Sequence, residues 1–75
     1  MKEYIVHHYD NGASELICVG ANVRRIMYNT GDVIELVNDI VVYIKTHDGI
    51  RWMDKDKKKI AFDAVSEYYN WTSYV

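Results

Sequence analysis

Turn formers divide this chain more sharply than any other feature in it. Asn11-Gly12, Asn29-Thr30-Gly31-Asp32, Asn38-Asp39 and His47-Asp48-Gly49 separate runs rich in Val, Ile and Tyr, and no proline interrupts those runs. Short β-branched and aromatic runs bounded in this way read as strands, and connections this tight can join only antiparallel neighbours. The predicted strands cover 4–9, 14–19, 23–28, 33–37, 40–46 and, as a short edge strand with Trp52 on one side and Arg51 on the other, 50–53.

Register follows from loop length. Asn-Gly is the strongest short hairpin signal, and with Asn11 and Gly12 as the two loop residues, Tyr4 opposes Val19, Val6 opposes Ile17 and His8 opposes Glu15 on one face. Ile5 with Cys18 and His7 with Leu16 then share the other face. Both faces are apolar near the open end of the hairpin, which predicts cover on two sides, as in a small barrel or a sandwiched sheet. A two-residue loop at Asn38-Asp39 sets Val33 against Ile44, Ile34 against Tyr43, Glu35 against Val42 and Leu36 against Val41. The face carrying Ile34, Leu36, Val41 and Tyr43 is the expected core face.

From Asp54 the period changes. Ile60, Ala61, Ala64, Val65, Tyr68 and Trp71 recur at spacings of three and four, the mark of an amphipathic helix, with Asp54 or Asp56 as its N-cap. Phe62 and Tyr69 widen the apolar stripe, so one flank is expected on the sheet and the other on a partner. The predicted fold is a single α+β domain over residues 1–75. It has five or six short antiparallel strands, as a bent sheet or small barrel, and one C-terminal amphipathic helix.

Size then constrains stability. The chain has 75 residues, and a core in a domain of that size seldom yields more than about 3–5 kcal/mol without a staple or a partner. Cys18 is the only cysteine, so no intramolecular disulfide can form, and a lone thiol suits a reducing cytoplasm. The start Met1-Lys2-Glu3-Tyr4 lacks a hydrophobic leader and the longest apolar run is 40–44, which predicts a cytoplasmic protein without a membrane segment. The Asn70-Trp71-Thr72 sequon is therefore expected to stay unmodified. With 49% hydrophobic and 27% charged residues and a net charge of −2, disordered and collagen-like chains are excluded. Seven Tyr, two Trp and one Phe are many for this length, and such residues serve interfaces as well as cores, so a homo-oligomer is expected. Residues with AT-rich codons (Phe, Tyr, Met, Ile, Asn, Lys) far outnumber Gly, Ala, Arg and Pro, as in a low-GC bacterium or its phages.

Reactive chemistry finds little support in the spacing. The predicted register puts Cys18 and His7 on one hairpin face in diagonal positions, but Cys18 lies between Ile17 and Val19 and has no group to orient a base, so a buried structural thiol is expected. His7 and His8 are strand neighbours that point to opposite faces and cannot chelate one ion, and His47 is distant in sequence. The acidic residues sit mostly at turns and helix starts, and the glycines are isolated turn residues, not a phosphate loop. No cofactor, metal or catalytic residue is expected.

The residues left over suit binding. The expected function is that of a non-enzymatic interaction protein that occupies a partner protein or sequesters a small ligand, such as a phage or mobile-element accessory or inhibitor protein. Its anchors are taken as Tyr28, Tyr43, Trp52, Tyr69 and Trp71. The alternative is a single-stranded nucleic-acid or nucleotide binding module using Arg24, Arg25 and Arg51 with the lysines at 55 and 57–59, although the acidic balance of the chain opposes it.

Overall fold

The computed structural model describes residues 3–72; the leader assignment at Met1-Lys2 therefore falls partly outside them. Six strands form one open antiparallel sheet in the order β1 (Tyr4–His8), β2 (Ser14–Cys18), β3 (Val23–Met27), β4 (Val33–Val37), β5 (Ile40–Thr46) and β6 (Gly49–Met53). One helix, α1 (Lys55–Thr72), follows. The α+β class and the meander match the sequence expectation, and the sheet is open, not a closed barrel.

The first hairpin is shifted by one residue from the expected register. Tyr9 N–H donates to Ala13 O (2.9 Å) and Gly12 N–H to Tyr9 O (3.1 Å), so Asp10, Asn11 and Gly12 form a three-residue loop. Gly12 sits at φ +90°, the bulge conformation that follows a type I turn in such loops, where glycine is favoured. Tyr4 therefore opposes Cys18, Ile5 opposes Ile17, Val6 opposes Leu16, His7 opposes Glu15 and His8 opposes Ser14. The expected pairings of Tyr4 with Val19 and His8 with Glu15 are replaced. A one-residue slip also exchanges faces, so Cys18 and His7 lie on opposite sides of the sheet. The β3–β4 loop repeats the geometry through Tyr28 N–H to Asp32 O and Gly31 N–H to Tyr28 O, and Asn29 Nδ2 ties the two loops together at Asn11 O (3.2 Å).

The β4–β5 hairpin begins as expected. Asn38 and Asp39 take positive φ of 51° and 64°, as a two-residue type I′ turn requires, and set Val37 against Ile40 and Leu36 against Val41. Beyond them a bulge at Val42 shifts the register, so Glu35 opposes Tyr43 and Ile34 opposes Ile44. The bulge turns both Val42 and Tyr43 toward the helix, and Asp54 N–H satisfies the Val42 carbonyl at 2.8 Å.

Helix α1 starts on Asp54. Its Oδ1 accepts from the N–H groups of Asp56 and Lys57, both at 3.2 Å, two of the donors that a helix start leaves unpaired. The buried helix residues are Ala61, Ala64 and Val65, small enough to let the backbone approach the sheet closely. They meet Leu16, Cys18, Val23, Val37 and Val42, with Tyr4, Tyr43 and Tyr68 packed at the margins. The helix therefore covers the face of β4 that carries Val37 and Glu35. The face with Ile34, Leu36 and Val41, expected to be the core, lies on the other side, and of that set only Tyr43 joins the helix.

Glu35 decides this choice of face. It is fully buried, with Arg25 Nη1 3.1 Å from Oε2 and Lys58 Nζ 2.8 Å from Oε1; the lysine makes an ion contact, not an aligned hydrogen bond. Arg25 stands directly across the ladder from Glu35, and Lys58 comes down from the first turns of the helix. A buried carboxylate needs such partners, and only the helix side supplies a second cation.

Candidate interaction surface

Alternation along each strand assigns the uncovered face. The register aligns Ile5, Ile17, Arg24, Leu36 and Val41 in one row, and His7, Glu15, Ile26, Ile34, Ile44 and Trp52 in the next. From β3 to β6 these rows form one apolar patch of Ile26, Ile34, Leu36, Val41, Ile44 and Trp52. Its central members are half-buried by their neighbours in the sheet, and Trp52 on the edge strand is 48% exposed. A sheet with two apolar faces normally has both covered, and here one helix covers one of them.

The two charged groups in these rows form an ion pair within the chain. Glu15, buried on the β2 side, accepts a hydrogen bond from the Tyr9 hydroxyl (2.8 Å), and Arg24 Nε lies 3.4 Å from its other oxygen. The bond to the Glu15 carboxylate raises the pKa of the Tyr9 hydroxyl, with loss of solvent and the carboxylate's charge adding to the shift. His7 packs edge-on against Tyr9, with ring centroids 4.4 Å apart.

The structure separates the eight residues singled out as binding candidates. Arg24 and Trp52 lie on the open face, and Tyr28 is exposed just beyond β3. Arg25 and Tyr43 lie on the helix side, Arg25 against Glu35 and Tyr43 beneath Lys58 Nζ, 4.5 Å from its ring centre. Arg51 is exposed on β6, in the irregular stretch between Trp52 and Ile50. Tyr69 and Trp71 are exposed on α1; Trp71 stacks on Tyr4 at 6.3 Å and Tyr69 meets Tyr68 edge-on. At about 100° per residue, Ile60 and Trp71 fall on one flank of the helix and Phe62 and Tyr69 on the opposite flank, so they make no single patch. The patch residues Ile26, Ile34, Leu36, Val41 and Ile44 were not among the candidates. The signal was the run of apolar residues at both parities of β4 and β5, which marks a strand covered on two sides.

A cleft of about 370 Å³ lies where β1, β2 and the Val19–Ala21 turn meet the helix, lined by Tyr4, Cys18, Ile60 and Ala64 with Glu3, Asp63 and Glu67. Burial pushes the Cys18 thiol pKa up, and the Glu67 carboxylate adds to the shift. A thiol held protonated, with His7 across the sheet, is poorly suited to nucleophilic attack. Among the described residues no three His, Cys, Asp or Glu side chains converge to hold a metal ion, and no helix is long and apolar enough to cross a membrane. The chain matches no protein-family model, and no characterised protein or solved structure is significantly similar to it.

Proposed function

We propose that this chain is a non-enzymatic interaction protein that works by laying its open sheet face against a partner. The observation that carries this reading is the contiguous set Ile26, Ile34, Leu36, Val41, Ile44 and Trp52 on the face the helix leaves uncovered. Soluble single chains rarely expose an apolar patch of more than a few hundred Å² unless it is used. Such a module suits an accessory or inhibitor protein, which has only to cover a partner's surface. The nucleic-acid alternative is the weaker reading, because Arg24 and Arg25 are each engaged by a carboxylate, and binding to phosphates needs open cations.

The test is site-resolved crosslinking in the living host. A photoreactive p-benzoylphenylalanine at position 34 is expected to form protein adducts that Ile44→Glu abolishes, whereas the same group at position 62 on the helix forms none. Adducts from position 62 alone, or adducts with nucleic acid from either position, would overturn the proposal.

A further inference from the structure

We infer that the surface meeting this open face is a second copy of the same chain, packed sheet against sheet; the inference rests on the proposed use of that face and names its occupant. Three observations point to self-pairing. The first is charge. The only full charges in the two central rows are Arg24 and Glu15, and they already neutralise each other within one chain. Two copies of this face therefore meet without like-charge repulsion, and a charged partner finds no unmatched charge to pair with.

The second is area. Six strands spaced about 4.8 Å apart and about 17 Å long give each face roughly 490 Å² of flat footprint. Two such faces cover about 1,000 Å² together, the size at which a specific interface becomes sustainable, and side-chain relief adds to the flat figure. The third is the division of apolar bulk. The helix side buries two alanines, four valines, one leucine and one cysteine, while three isoleucines, a leucine, a valine and a tryptophan stand in the patch on the uncovered side. Much of the apolar bulk thus lacks its second layer, and a copy related by a two-fold axis supplies a matching layer about 10 Å away.

The experiment is light scattering and sedimentation equilibrium on the full chain across a dilution series, with Ile34→Lys beside wild type. Wild type is expected at twice the 8.8 kDa chain mass at high concentration, and Ile34→Lys at the single-chain mass with an unchanged far-ultraviolet circular dichroism spectrum. A Trp71→Phe variant leaves Trp52 as the sole tryptophan and keeps the test decisive if Ile34→Lys fails to fold. Its emission is expected to move to the red on dilution, in step with the fall in mass. Wild type at the single-chain mass throughout, or a dimer whose dissociation leaves Trp52 emission unchanged, would overturn the inference. A single-chain mass combined with position-34 adducts to a different protein in the host would overturn self-pairing alone and leave the proposed function standing.

Discussion

Replacing Lys58 with methionine isolates the ion cluster that seats the helix. The substitution keeps an apolar stem of similar length but removes the ammonium 2.8 Å from Glu35 Oε1 and 4.5 Å above the Tyr43 ring. Breaking a buried pair by deleting one partner costs about 3–5 kcal/mol. Here the carboxylate keeps Arg25 at 3.1 Å, so the electrostatic loss should be smaller, about 1.5–2.5 kcal/mol, with about 0.5 kcal/mol more from the lost cation–π contact. The expected total of about 2–3 kcal/mol is a large share of the roughly 3–5 kcal/mol that a core of this size supplies. Urea denaturation followed by circular dichroism, at matched protein concentration, measures it. The triple variant Lys58→Met with Glu35→Leu and Arg25→Met removes the whole cluster without leaving a lone charge, and should be more stable than Lys58→Met alone. A single-variant loss below about 0.5 kcal/mol, or a triple variant less stable than the single, would refute the assignment of Glu35 as a carboxylate held in the core by two cations.

Further outcomes follow from the same geometry. Gly12→Ala should cost about 1–3 kcal/mol in urea denaturation, since it forces a positive φ on alanine and places a Cβ 3.1 Å from Asn29 Nδ2; no loss would deny the bulge. Asp54→Ala should cost about 1 kcal/mol by removing the N-cap, and Asp54→Asn should recover most of it. The raised Cys18 pKa means the folded state favours the neutral thiol. Its contribution is complete below the unfolded thiol's pKa, near 8.5, and is lost as pH rises through the higher folded value. The Tyr9→Phe variant, which removes the other raised group, should therefore lose stability above about pH 9, and Cys18→Ala in that background should lose less.

The sequence disclosed the elements of this fold because each is set by local chemistry. Strand and helix limits follow from turn residues and from a change of period at Asp54, and both survive folding nearly unmoved. What it concealed were three one-residue events, the slip of the first hairpin, the bulge at Val42 and the irregularity at Arg51, and a long-range pairing. Asn11-Gly12 is compatible with either a two-residue loop or the last two residues of a three-residue loop, and the difference exchanges the faces of Cys18 and His7. The bulge at Val42 has no glycine to announce it. In β4, Val33 and Val37 on one side and Ile34 and Leu36 on the other are equally apolar, and a lone glutamate made the first side look solvent-facing. Only the meeting of Glu35 with Arg25 and Lys58, far apart along the chain, reverses that reading. The candidate aromatics were chosen for residue type, which carries no information about facing; the patch itself was legible only as strands apolar at both parities.

The most direct measurement is the accessibility of the open-face methyl groups to a soluble nitroxide, read by NMR on protein with labelled Ile, Leu and Val methyls, both purified and in clarified host extract. If this face is the contact surface, Ile26, Ile34 and Ile44 should relax as slowly as the core methyls of Leu16 and Val42 in at least one of the two samples, while Ile50 and Ile60, 59% and 47% exposed, relax fast in both. Shielding in the purified sample would place a second copy on the face, and shielding in the extract alone a different partner. Open-face methyls that relax in both samples as the half-buried positions of a single chain would contradict the account.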